Sequence, residues 1–420
     1  MRRYLNIILR ITTLGTRFVF IIALAKFLDP VEVGLYGLYT ASIGYALYFV
    51  GLDFYAYVTR EILSYPRTDR GHIIKAQAAL SGCLYVIVLP VSTYLLIWTD
   101  TPTLLIWCFA PILILEHFNQ EISRLLIALS RQLTASIVLF FRQGSWAIAA
   151  VVLMGLNSES RSLGVVLVLW IVAGFVAALL GAWAVFRLNM GGWRVAVNWQ
   201  WVRRGIITSL GFLVATIALR SIQTFDRYWL ELLGGLELVG AYVLFMGIAG
   251  TLLTLLDAGV FAFTYPDLIR HNLQERHDLA RALIRKAMLQ TVGVIAVFAV
   301  VSLIALPYLL VWISDPVYQT NIWLYPWLLT AMILSALSMI PHYGLYAKGQ
   351  DKPIICSHLV ALGTFVAVTW LLSVSYAMLA VPIGLNMAFF VILIWKSTAY
   401  IALEFYGKSA CVAVTSFRNS

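Results

Sequence analysis

The chain has 420 residues, of which 62% are hydrophobic and only 11% charged. A soluble domain of this length needs more charge for its surface alone, so the composition excludes one and indicates a polytopic membrane protein. The net charge of +10 does not read as nucleic-acid binding, because the basic residues gather in alternate loops between apolar runs.

Apolar runs near the twenty-residue crossing length fall at 5–28, 34–59, 73–98, 103–128, 134–156 and 163–186, and again at 205–233, 238–264, 288–313, 321–346, 354–374 and 377–402. The first begins like a secretory leader, with Arg2 and Arg3 ahead of apolar residues. Arg10 and Arg17 interrupt it, however, and a leader's apolar core would not hold them, so a retained span is expected. Of the 29 lysines and arginines, the loops placed outside hold only Lys26, Arg161 and Arg227, which predicts twelve spans with both termini cytoplasmic. No outside loop is long enough to fold as a domain. Two inside segments, 187–204 and 265–287, read as interfacial stretches. In the first, Trp193, Trp199 and Trp201 beside Arg194, Arg203 and Arg204 suit a headgroup-level helix. The second is equally well read as a solvated connector. Cys83, Cys108, Cys356 and Cys411 have neither disulfide nor metal spacing, and read as packing residues.

The stretch Phe225–Arg270 reads as a helical hairpin, with an Asp226–Arg227 pair near the end of its first arm, a glycine-containing turn, and a second arm that stops at Tyr265-Pro266-Asp267. Its features recur near the N-terminus. Asn6 and Arg10 match Thr216 and Arg220, and Gly34 and Tyr36 match Gly240 and Tyr242. A duplication of six spans is expected, giving an all-α fold of two pseudo-symmetric six-helix bundles. The lobes are 1–187 and 205–404, joined by an amphipathic linker at 188–204 and followed by a tail at 405–420.

Asn6, Arg10, Thr13 and Arg17 share one helical face, as do Thr216, Arg220, Gln223 and Arg227. Charged side chains facing lipid are costly, so these stripes are expected to line a cationic cavity suited to a phosphate, with Arg142 added from the fifth span. Snorkelling to the interfaces is an equal reading for Arg10 and Arg227. The fourth span carries Glu116, His117, Glu121 and Arg124. Either a proton or cation relay or a set of structural ion pairs accounts for them, the pairs being slightly favoured. Asp53 and Asp257, each two residues from a glycine, are cation-site or arginine-partner candidates. No Walker A motif, HExxH pattern or His/Cys cluster is present, so the sequence calls for no cofactor, metal or enzyme chemistry.

The runs DRYWLELLGGLELVGAYVLFMGIAG and LDPVEVGLYGLY, with LIALSRQ after a polar fourth span, resemble the polysaccharide transporter family. This is the Wzx-type O-antigen and capsule flippase family of the multidrug/oligosaccharidyl-lipid/polysaccharide exporter superfamily. The resemblance covers essentially the whole chain; Asp226, Gly240, Tyr242 and Pro266 carry it most directly, although Arg60 stands at the first-half counterpart of Pro266. It implies a flippase that moves undecaprenyl-diphosphate-linked oligosaccharides to the outer leaflet of the bacterial inner membrane by alternating access, with Arg10, Arg17 and Arg220 at the substrate. Implied partners are the lipid-linked oligosaccharide, membrane lipids, a proton or sodium coupling ion, and the pathway's polymerase and chain-length proteins. A drug/cation antiporter of the same superfamily stays open as an alternative, and less so a polysaccharide polymerase or ligase.

Overall fold

The computed structural model describes the backbone of residues 2–415, and the side chains of residue 5 and residues 8–404. Those residues are almost wholly helical and contain no strand. That follows from the apolar composition, since a backbone without water must satisfy its own hydrogen bonds. Among the described residues, eleven helices are long and apolar enough to cross a membrane. One of them, Trp199–Leu273, runs for 75 residues. At about 1.5 Å per residue it exceeds one bilayer core several-fold. It breaks at Gly235, where φ 75 and ψ 177 leave helical space. Only glycine adopts that backbone cheaply, so Gly235 folds the segment into the anticipated hairpin. Counted as two, it brings the crossings to twelve.

The chain divides into two compact units, Met1–Ile217 and Ala218–Ser420. Unit 1 contains α1 (Arg2–Phe27), α2 (Pro30–Gly51), α3 (Tyr55–Ile62), α4 (Gly71–Trp98), α5 (Thr103–Ala128), α6 (Gln132–Phe140), α7 (Trp146–Leu156) and α8 (Leu163–Phe186). The boundary falls inside α9 (Trp199–Leu256). Unit 2 continues with α10 (Ala262–Leu273), α11 (His277–Ile313), α12 (Pro316–Thr320), α13 (Leu324–Ala347), α14 (Asp351–Ser375) and α15 (Ala377–Thr415). In unit 1, α5 packs against α2, α3, α4, α6 and α8. In unit 2, α15 packs against α13 and α14. Aspartate starts two of the helices: Asp29 Oδ1 accepts from Val31 N at 2.8 Å and Asp315 Oδ1 from Val317 N at 2.9 Å, each with proline next in sequence.

Three expectations are corrected. The second span, read as one run over 34–59, breaks after Gly51, because Leu52 and Asp53 both turn left-handed (φ 47 and 50) before α3 resumes. The hairpin's second arm does not stop at Pro266. Its helix passes through that proline to Leu273, below a π-helical turn at Asp257–Phe261. The headgroup helix over 187–204 is also absent: residues 188–198 are irregular and α9 begins only at Trp199.

That irregular strip runs along the start of α4. Gly71 N donates to Gly191 O at 2.7 Å, Gly191 N to Arg67 O at 3.3 Å, and Arg67 Nε to Leu188 O at 2.5 Å. Lys75 Nζ reaches Trp193 O and Val195 O at 3.3 and 3.1 Å. A Cβ on Gly71 or Gly191 would collide with backbone across this seam, so contact this close needs glycine at both positions. Trp193 and Trp199 stay exposed, whereas Trp201 packs edge-on to Phe54 at 5.5 Å between ring centroids.

Candidate functional site

The polar residues of unit 1 form two clusters on α5. In the first, Arg142 and Glu116 are 7% exposed each. Arg142 lies in a π-helical turn, Phe141–Ser145, between α6 and α7. Its Nε and Nη2 both reach Glu116 Oε2 at 2.6 Å, and Trp170 Nε1 on α8 donates to Glu116 Oε1 at 2.8 Å. A π turn loosens the usual carbonyl pairing, and Trp146 Nε1 takes up Arg142 O at 2.9 Å. The indoles of Trp146 and Trp170 stack at 5.2 Å, sealing the pair from the side. Both carboxylate oxygens are satisfied, so this ion pair is closed. Arg142 thus occupies a paired position, as in the structural-ion-pair reading of the fourth span.

The second cluster surrounds the α2–α3 break. Glu121 accepts from Arg124 Nη1 at 2.5 Å and from Gln77 Nε2 on α4. The Arg124 guanidinium lies 3.6 Å over the ring of Tyr55, the first residue of α3. His117 Nδ1 and Tyr85 Oη are 2.9 Å apart. His117 Nε2 is buried with no hydrogen-bond partner among the described residues, and faces Gly51 at the end of α2. Asp53 is half-buried in the break itself. The network therefore ties α3, α4 and α5 together where α2 loses its helical backbone.

The arginines of the two stripes sit differently. Arg10 and Arg17 are exposed on α1, while Thr13 between them is buried. Arg10 Nε donates to Ser136 Oγ on α6 at 3.3 Å, and neither arginine has an ion pair among the described residues. The side chain of Asn6 lies outside the described residues. In unit 2, Arg220 is exposed and its Nη1 donates to Gln223 Oε1 at 2.9 Å. Asp226 is buried; it accepts from the Arg227 backbone N at 2.7 Å and from Tyr242 Oη. Tyr242, whose Gly-x-Tyr run carried part of the resemblance, is thus the neighbour that holds Asp226. Asp257 is exposed and opens the second π turn.

Sequence reasoning missed Gln77, Tyr85, Tyr55, Trp170 and Ser136, because each is a common polar or aromatic residue that acquires meaning only opposite its partner. It also passed over His358 and gave Lys396 no role, although a lysine inside an apolar span was a usable signal. Among the described residues no group of three His, Cys, Asp or Glu could hold a metal.

Residues 4–270 match the family described as polysaccharide biosynthesis protein. No curated protein matches the chain in sequence. Solved structures share its fold. An inward-facing multidrug resistance MATE transporter of the MOP superfamily superposes with TM-score 0.75 at 12% identity, covering 93% of this chain and 95% of its own. A variant of the Vibrio cholerae MATE transporter VcmN gives 0.58 at 14% identity, covering 95% and 94%. A Pyrococcus furiosus MOP superfamily transporter, described as having a binding pocket of reverse polarity, gives 0.56 at 14% identity over the same shares. The family match spans more than half the chain, and eleven of the described helices are long and apolar enough to cross a membrane, so the chain belongs to the polysaccharide biosynthesis protein family and is a multi-pass membrane protein.

Proposed function

We propose that the protein is a flippase for oligosaccharides carried on undecaprenyl diphosphate, moving them from the cytoplasmic to the outer leaflet of a bacterial inner membrane, with both chain termini in the cytoplasm. The observation that carries this reading is the contrast among the arginines. Arg142 and Arg124 are neutralised by Glu116 and Glu121, whereas Arg10 and Arg17 keep their charge at accessible positions two turns apart on α1. Exposed arginine on a crossing helix is expensive against lipid, so these side chains serve an anion. The planar guanidinium holds phosphate oxygens in pairs and stays charged at any cellular pH, which suits a diphosphate. Arg220, exposed on α9, is assigned the same task in unit 2.

The test is rescue of surface polysaccharide in a flippase-deficient strain, with membrane protein abundance measured in parallel. Arg17→Ala and Arg220→Ala abolish rescue at normal abundance, while the lysine variants keep part of it. Full rescue by the Arg17→Ala/Arg220→Ala double variant overturns the anion site. Loss of the protein itself would assign these arginines a structural role instead.

A further inference from the structure

Unit 2 buries a cation that the flippase reading does not use. Lys396 on α15 is 2% exposed, and its Nζ lies 3.1 Å from Nε2 of His358 on α14, which is 7% exposed. From α13, His342 interacts electrostatically with both. Its Nδ1 is buried with no hydrogen-bond partner among the described residues. α15 packs against both α13 and α14, the helices that carry the two histidines.

Among the described residues, the surrounding groups supply no counter-charge to Lys396. On α13 the neighbours of His342 are the rings of Tyr343 and Tyr346. On α14, Asp351 and Lys352 lie about two turns from His358, at the start of the helix. On α15 itself, Tyr400 and Glu404 are about one and two turns beyond Lys396, and Glu404 is already held by Lys348 and Arg281. No carboxylate among the described residues pairs with Lys396.

A buried ammonium without a counter-ion costs several kcal/mol. An amine beside an imidazole lone pair can meet that cost reversibly. With the extra proton present, an Nζ–H donates to His358 Nε2; with it gone, the neutral amine still donates to the same nitrogen. Both charge states therefore keep the hydrogen bond, and no metal is needed in either.

We propose that Lys396 and His358 form a proton-binding site in unit 2, loaded and emptied once in each transport cycle. The coupling role rests on the flippase reading; the proton site itself does not.

Potentiometric titration of the purified full-length protein in detergent micelles measures the site without substrate. Between about pH 5 and pH 9 the wild type takes up about one proton more than Lys396→Met/His358→Gln. Superimposable curves overturn the site. Should the double variant fail to accumulate, the wild type carries the test. The 15N ring signal of His358, assigned by its loss in His358→Gln, moves over the same range, and a stationary signal overturns the proposal.

Surface-polysaccharide rescue at several external pH values then separates the two ideas. Titration of the site in a protein that rescues nothing would remove the flippase reading and leave the proton site standing. Rescue by the double variant with the wild type's pH dependence would remove the coupling role.

Discussion

Among the described residues, each unit buries one lysine or arginine, and their surroundings differ. Arg142 in unit 1 meets a carboxylate whose second oxygen is held by an indole, under two stacked tryptophans. Lys396 in unit 2 meets an imidazole, with no carboxylate partner among the described residues. The first arrangement gives the cation a fixed partner and braces α5, α8 and the π turn against one another. The second holds a charge without a fixed partner, which is tolerable only where the charge is meant to change. Burial alone therefore does not mark a working residue; the partner decides.

The largest effect tests the brace. Removing one member of a closed buried pair leaves the other uncompensated, so Glu116→Ala or Arg142→Ala lowers stability by about 3–5 kcal/mol in reversible unfolding from mixed micelles. The double variant Glu116→Leu/Arg142→Met recovers most of that loss. A single-variant loss below about 1 kcal/mol would show that the pair is not a brace. A smaller effect tests the indole. Trp170→Phe orphans Glu116 Oε1 and costs about 1–3 kcal/mol by the same measurement, with Arg142 still in place.

Lys396→Met should behave in the opposite sense. Replacing a buried amine without a counter-ion by a thioether of similar length raises stability by about 1 kcal/mol. Destabilisation as large as that of Arg142→Ala would erase the contrast between the units. The exposed Asp267–Arg270 pair on α10, 3.2 Å apart, sets the floor, and Asp267→Ala changes stability by about 1 kcal/mol or less.

The crossings were legible because apolar length is a local property of sequence, and even the hairpin break was signalled by Gly234 and Gly235. Pairing was less so. Arg10, Arg17 and Arg142 looked alike as isolated arginines, and only the register of α5 against the π turn sets Arg142 apart from the other two. The break at Leu52–Asp53 was marked by Gly51 and Asp53, but these read as a candidate cation or arginine-partner site rather than as the end of a helix. At Pro266 the apolar run ends but the helix does not, continuing to Leu273. Trp201 was read at the headgroups with its neighbours, but unlike Trp193 it turns inward onto Phe54 and Tyr57.

The seam between residues 67–75 and 188–195 also orders the protein's manufacture. Lys75 finds Val195 O only after 120 further residues have left the ribosome, so unit 1 closes as the last of its own chain arrives and before α10–α15 are made. The wait adds little entropic cost, since each doubling of a loop adds only about 0.6 kcal/mol. Because the partners across the seam are mostly main-chain oxygens, which every residue supplies, the side chains at Leu188 and Val195 can change without removing those bonds. Gly71 and Gly191 lack that freedom, and substitution of either by any other residue would leave the first lobe unsealed while the second was still being inserted.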